Sequence, residues 1–259
     1  MIAPCNPQPT SLARWTRLAA AAVALSFVAV PAHAQWSVTP YFWASSVDAT
    51  VTVADRPMVD EHIPFTDLLE DLDAGLLLRV EAQYGEYGGM LDLFYVHMSD
   101  TDSDLTLPGG VPATLDSKIG MAVIDATGSY DPHGDGRGIA FVAGARVLAQ
   151  SATLDLTAQG APGTQRSEMD DVLVDALVGV RYRAPLGSHW SLDVRGDIGT
   201  GGAPLTWSAG ADVAYAFGQT KRFAVSAGYR YLAIEFEDGT PVQVDMAMSG
   251  FLTGFRIAL

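Results

Sequence analysis

The chain has 259 residues, 49% of them hydrophobic and only 17% charged, with a formal net charge of −15. That charged share lies below the roughly one quarter found in soluble domains, and the acidic balance argues against nucleic acid as a partner. The single cysteine, Cys5, falls within the first 34 residues, so the remainder has no disulfide, no thiol nucleophile and no thiolate metal site.

Residues 1–34 read as a secretory signal peptide. Arg14 and Arg17 form a basic start, Leu18–Val30 an apolar core, and Pro31-Ala-His-Ala34 places small residues before Gln35. The apolar core is too short to span a bilayer comfortably. Cleavage after Ala34 is expected, with residues 35–259 forming one mature domain. The two arginines are the only charges before residue 35, so the mature net charge is −17.

No run of about 20 apolar residues follows, which excludes an ordinary membrane helix. The sequence alternates instead. Trp36–Val53 is β-branched and aromatic, with Pro40 expected to mark a bulge or twisted start. Ala54–Asp73 reads as a long acidic connection in which Thr66 caps a short helix. In Ala74–Tyr84, Leu76, Leu78, Val80, Ala82 and Tyr84 oppose Leu77, Arg79, Glu81 and Gln83. A Gly85–Gly89 turn leads to the strand Met90–Met98, whose faces are mixed, and then to a loop, Ser99–Ala113. In Thr114–Tyr130 the apolar parity switches between Val123 and Ile124, which suggests a bulge.

The second half is cleaner. Strands are expected over Gly138–Asp155, Ser167–Arg183, Trp190–Ile198, Leu205–Phe217, Arg222–Phe236 and Val242–Leu259. In the pair Trp190–Ile198 and Leu205–Phe217, one face is apolar, the other polar or small, and Trp190, Trp207, Tyr215 and Phe217 sit near the ends of the apolar face. Successive side chains of a strand point to opposite faces. Lipid on one side, a polar lumen on the other and aromatic girdles describe a transmembrane β-strand.

The expected fold is all-β: a closed antiparallel transmembrane β-barrel of about ten strands, with eight or twelve also open. Only helices and closed barrels satisfy every backbone group in lipid. The long acidic connections Ala54–Asp73 and Ser99–Ala113 are placed outside the cell, with the short turns and both termini in the periplasm. The alternation Phe251, Thr253, Phe255, Ile257, Leu259 marks a final strand that closes on the first. The expected location is the outer membrane of a Gram-negative bacterium. The expected partners are outer-membrane lipid and lipopolysaccharide, with the barrel-assembly machinery reading the C-terminal strand.

The sequence resembles a group of largely uncharacterised proteobacterial outer-membrane β-barrel proteins of about 250 residues. The resemblance rests on Trp36-Ser-Val-Thr-Pro-Tyr-Phe-Trp43, Phe65-Thr-Asp-Leu-Leu-Glu-Asp-Leu-Asp73, Glu81-Ala-Gln-Tyr-Gly-Glu-Tyr-Gly88 and Leu91-Asp-Leu-Phe-Tyr95. It covers mainly the first third. It implies an outer-membrane barrel and brings no established activity or site residues.

The polar faces carry Arg79, Glu81, Arg146, Asp175, Arg181, Arg183, Asp193, Arg195, Asp197, Asp212 and Arg230, with Asp92 a further candidate on the mixed strand. Arginine facing lipid near the midplane costs roughly 2–4 kcal/mol, so these residues are expected to line the lumen. Small barrels are filled by their own side chains. The expected function is therefore non-enzymatic: a structural barrel or a narrow, porin-like pore with a charge-paired lumen. The alternative is a membrane-embedded hydrolase acting on lipid, because His97-Met-Ser99 resembles the His-x-Ser of lipid A deacylases. No third catalytic member can be placed. Glu61-His62, read against the Asp/His sites of outer-membrane proteases, is weaker still. The acidic groups Asp100, Asp102, Asp104 and Glu168, Asp170, Asp171 read as solvated loops; their spacing does not match an EF-hand. No catalytic, cofactor or metal residues are expected.

Overall fold

The computed structural model describes residues 34–53, 56–107, 110–158, 163–237 and 242–259. Apart from Ala34, the expected signal peptide lies outside them. Among the described residues the chain forms β1 (Gln35–Val53), β2 (Arg56–Ile63), α1 (Phe65–Glu70), β3 (Leu72–Tyr84), β4 (Tyr87–Leu107), β5 (Val111–Tyr130), β6 (Gly138–Ala158), β7 (Gln165–Pro185), β8 (Trp190–Gly201), β9 (Leu205–Phe217), β10 (Phe223–Glu237) and β11 (Val242–Ala258).

β3 to β11 pair antiparallel in chain order. β11 then pairs with β1 from Ser37↔Ala258 to Val53↔Val242, and β1 pairs with β3 from Gln35↔Gln83 to Pro40↔Leu78. Ten strands thus close the wall. β2 is an additional short arm folded back on the far half of β1. Gln35 and Ala258 lie at one rim, together with the turns after β3, β5, β7 and β9.

The outward faces are apolar over a continuous band. Val174, Val178, Val180 and Tyr182 of β7, Val194 and Ile198 of β8, and Phe251 and Phe255 of β11 are all exposed. Tyr84, Tyr87, Tyr130, Trp190 and Tyr215 gather toward the terminal rim, and Phe42, Tyr95, Trp207, Tyr229 and Phe251 form a second set further up the wall from it. A closed wall satisfies its own ladder, and a lipid-facing apolar band between aromatic belts is what a bilayer requires. The chain is a closed transmembrane β-barrel.

Several local readings need correction. The expected loop Ser99–Ala113 is largely a hairpin: β4 runs to Leu107, β5 starts at Val111, and Leu107 faces Val111. β6 and β7 likewise extend past Asp155 and begin before Ser167. Polar residues in these arms mimic a loop in sequence, but a ladder beyond the membrane needs no apolar face. Most of the expected Ala54–Asp73 connection is β2 and α1. The N-cap of α1 is Pro64 and carries no side-chain cap; Thr66 Oγ1 instead donates to Asp67 Oδ1 at 3.1 Å. Pro40 makes no bulge; its missing N–H interrupts the β1–β11 pairing at Thr39 and Pro40 without a change of register, and the β1–β3 ladder ends at Pro40↔Leu78. The turn after β3 is only Gly85-Glu86, with Gly85 at φ 54° and Tyr84 paired to Tyr87. No register shift occurs at Val123/Ile124.

The long acidic arms point away from the termini. Thiols introduced at Asp67 and Asp102, both exposed, should therefore react with an impermeant reagent on intact cells. Labelling at Asp135 and Ser188 with none at the first pair would invert the barrel.

On the terminal side, Asp131 locks the β5–β6 turn. Its carboxylate accepts N–H bonds from His133 at 3.0 Å and Gly136 at 2.7 Å, and its own N–H donates to the Glu86 carbonyl at 2.7 Å. Burial pushes this carboxyl up, but the backbone N–H groups outweigh that and hold it below the usual range. A lowered folded pKa stabilises above the unfolded value of about 4 and is lost as pH falls through the folded value. Asp131→Ala should therefore lower the unfolding midpoint at pH 7, and the difference from the unmodified protein should shrink below pH 4. An equal deficit at both pH values would refute this role.

Candidate functional site: a charged layer beneath an apolar chamber

The lumen is built from one side chain in two on each strand. Odd positions of β1, β3, β5, β7 and β8 and even positions of β4, β6, β9, β10 and β11 point inward, as the buried residues Trp43, Asp125, Leu177, Asp197, Phe94, Arg146, Ser208, Leu232 and Met248 show. What these positions carry changes with height.

In the half nearer the termini the inward positions are charged, and they form three clusters, two of them linked. In the first, Arg79 Nε and Nη2 donate to Asp92 Oδ2 at 3.1 and 2.9 Å, while the Tyr41 hydroxyl donates to Asp92 Oδ1 at 2.6 Å. Arg230 lies 3.5 Å from the same carboxylate and over the Trp43 ring at 5.2 Å. In the second, Arg146 is fully buried and grips Asp125 with two bonds, at 2.7 and 2.8 Å; its Nη2 also donates to Asp197 at 2.8 Å. Asp197 further accepts from Arg195 Nε at 3.1 Å and Ser208 Oγ at 2.8 Å. In the third, Arg181 and Arg183 share Glu81 and Asp193. Arg230 Nη2, 3.7 Å from Asp125, links the first two clusters.

This layer brings together nine of the eleven lumen candidates: the six arginines, and Glu81, Asp193 and Asp197. Asp212 lines the small space between the clusters but makes no hydrogen bond or ion pair among the described residues. Asp175 lies elsewhere. It is fully buried, and its Oδ1 accepts the Ala203 N–H at 2.9 Å, which folds the β8–β9 turn inward over the lumen. Asp92 belongs to the layer, as do Asp125 and Tyr41, which the sequence reading missed. With them the layer holds six arginines against six carboxylates: Glu81, Asp92, Asp125, Asp193, Asp197 and Asp212. The remaining free volume there is about 40 Å³. Below it, a polar vestibule of about 290 Å³ opens at the terminal rim between Gln35, Glu81, Arg183 and Arg256.

Above the layer the inward positions turn apolar. Trp43, Phe94, Met121, Val123, Leu148, Leu232, Ile234 and Met248 form a buried cluster on top of it, with Ala203 of the folded turn. Trp43 and Phe94 meet edge to face at 5.4 Å. This cluster floors a chamber of about 1150 Å³ that extends toward the rim opposite the termini. Its walls are Leu77, Val96, Met98, Leu173, Phe236 and Met246, with Ser45, Gln150 and Ser151 among its few polar groups. Asp170 and Asp171 are its charged lining residues; no lysine, arginine or histidine lines it among the described residues.

The other candidates stay apart. His97 Nε2 is 3.9 Å from Asp73, and no hydrogen bond joins it to Ser99. His62 Nδ1 contacts Asp48 at 2.5 Å on the exposed β1–β2 arm. Arg166 pairs with Asp155 through two bonds of 2.7 Å, and Thr101 Oγ1 donates to Asp116 at 2.7 Å. Among the described residues no three histidine or acidic side chains gather as a metal site would require.

No family model and no curated protein matches the sequence. Solved structures do match in shape. The attachment invasion locus protein Ail of Yersinia pestis covers 86% of this chain and 99% of its own at 10% identity and a TM-score of 0.37. The translocator domain of the autotransporter NalP from Neisseria meningitidis covers 95% of both chains at 10% identity and a TM-score of 0.30. The Pseudomonas putida toluene transporter TodX covers 90% of this chain and 91% of its own at 10% identity and a TM-score of 0.34.

Proposed function

We propose that this outer-membrane barrel is not a through-pore but a receptor for a small apolar molecule, held in the outer chamber above a sealed floor. One observation carries the reading: about 1150 Å³ of apolar-lined space stands above a buried apolar cluster and a charge-paired layer with about 40 Å³ free. Ligand sites are concave, mostly apolar and marked by a few polar groups. A water path would need an opening through paired charges, and breaking such pairs in a dry interior is costly.

The occupant is neutral or cationic. The only charges on the described chamber wall are the carboxylates Asp170 and Asp171. An anionic amphiphile would bring a like charge to them and find no cation to answer it. Trp43, in the chamber floor, reports binding. With Trp36, Trp190 and Trp207 replaced by Phe, 9-bromoanthracene should quench Trp43 saturably in nanodiscs. Leu173→Phe with Met246→Phe should fill the space and weaken that quenching at least tenfold. A carboxylated analogue should bind at least tenfold less well. Quenching that only rises linearly with the probe would end the proposal.

The same reading makes a prediction for conductance. Planar bilayers containing the refolded mature chain should show little current, and Arg181→Ala with Arg195→Ala should raise it. A large, stable, anion-selective current from the unmodified chain would refute the sealed floor.

A further inference from the structure

The barrel wall is not continuous at the level of the chamber. Above Pro40↔Leu78 the β1–β3 ladder stops, and β1 finds a new partner only at Val47↔Ile63 of β2. Residues 41–46 of β1 and 72–77 of β3 face each other without backbone pairing. Each strand still pairs on its other side, β1 with β11 and β3 with β4. At about 3.3 Å per residue the interruption is roughly 20 Å long.

Helix α1 occupies it. Phe65, at its start, meets the Phe42 ring edge-on at 5.6 Å. Phe42 and Leu76 point outward, toward lipid, and are about half exposed. Both also line the chamber, together with Phe65 and Leu69 of α1. A cavity lined by inward residues such as Trp43 and by outward residues such as Leu76 passes through the wall. Phe42 and Tyr95, which pairs with Leu76, belong to the aromatic belt away from the termini. Aromatic belts sit at membrane interfaces, so the interruption meets the outer leaflet.

Irregular backbone at membrane depth is tolerated where protein covers it or where it borders a cavity. Both conditions hold here. A continuous ladder would have been the less costly wall, and α1 is a single short helix without a side-chain cap or a buried residue. Resting on the receptor reading above, we propose that the β1–β3 interruption is a lateral port. Through it the chamber exchanges a neutral or cationic apolar molecule with the outer leaflet, and α1 is its door.

The mature chain has no native cysteine, so thiols can be placed cleanly. Phe42→Cys with Phe65→Cys, bridged by dibromobimane, should tie α1 to β1 and close the port. Leu69→Cys with Leu76→Cys should tie α1 to β3 and serves as an independent bridge. In proteoliposomes given 9-bromoanthracene, bridging either pair should slow Trp43 quenching at least tenfold. The final extent of quenching should match that of the same variant capped with monobromobimane. Saturable quenching at an unchanged rate in both bridged variants would overturn the port and leave the receptor reading standing. Loss of the final extent in both would place α1 in the binding wall rather than in a door, and also overturn it. Absence of saturable quenching in the unbridged protein would remove both readings together.

Discussion

Replacing Arg146 by Met should destabilise the barrel by about 3–5 kcal/mol, the usual cost of stranding buried charges. Arg146 is wholly buried and holds Asp125 and Asp197 by three bonds of 2.7–2.8 Å. After its removal Asp125 keeps only Arg230 at 3.7 Å, whereas Asp197 retains Arg195 and Ser208. The charged layer changes from balanced to a net of −1 in a space that admits little water. Urea unfolding of the refolded protein, followed by heat-modifiable migration, measures the loss. Adding Asp125→Asn should return part of it, because the stranded carboxylate is then neutral and the two sites share a contact. A shift under 1 kcal/mol for the single variant would mean that the layer is wet and that the lumen is not sealed.

The sequence made this layer half visible. On β6 to β10 each lumen charge sits opposite an apolar outward face, so a period of two separates them without ambiguity. Arg146, Arg181, Asp193 and Arg230 could be placed on that basis alone. Asp125 could not. Its strand carries Met121 and Val123 inward and Ile124 outward, so both faces read as apolar just above it and the pattern looks like a slipped register. The same signal recurs on β4, where Phe94, Val96 and Met98 face inward above Asp92. Period-two reasoning assumes a polar lumen, and an apolar chamber breaks the assumption at its own height. Two-sided apolar stretches on neighbouring strands were therefore the chamber's trace in the sequence. The port left less. Pro40's lost donor falls on the β11 side of β1, and where the β1–β3 ladder stops is set by long-range register, which no local pattern records. Likewise β2 hides in an acidic segment because a ladder outside the membrane needs no alternation.

Gly250→Val should prevent closure of the barrel. Gly250 faces inward at the seam between β11 and β1, and a Cβ there would overlap the Ala44 carbonyl and crowd the Ser45 Cα. These are backbone atoms of β1 paired in the ladder with β11 itself, so the clash can be relieved only by shifting the strand and not by a rotamer change. The carbonyl of Gly250 also accepts the Trp43 indole N–H at 3.3 Å, which fixes the chamber floor to the seam. Overpacking of this kind costs about 1–3 kcal/mol where side chains can move, and more is expected where they cannot. The variant should yield little heat-modifiable species and accumulate as a degraded periplasmic form. Phe251→Val provides the contrast one residue away. Its side chain points outward and is 73% exposed, so the seam should close as before despite the loss of side-chain volume. Normal assembly of Gly250→Val, or equal failure of the two variants, would show that closure does not depend on close backbone approach at this point.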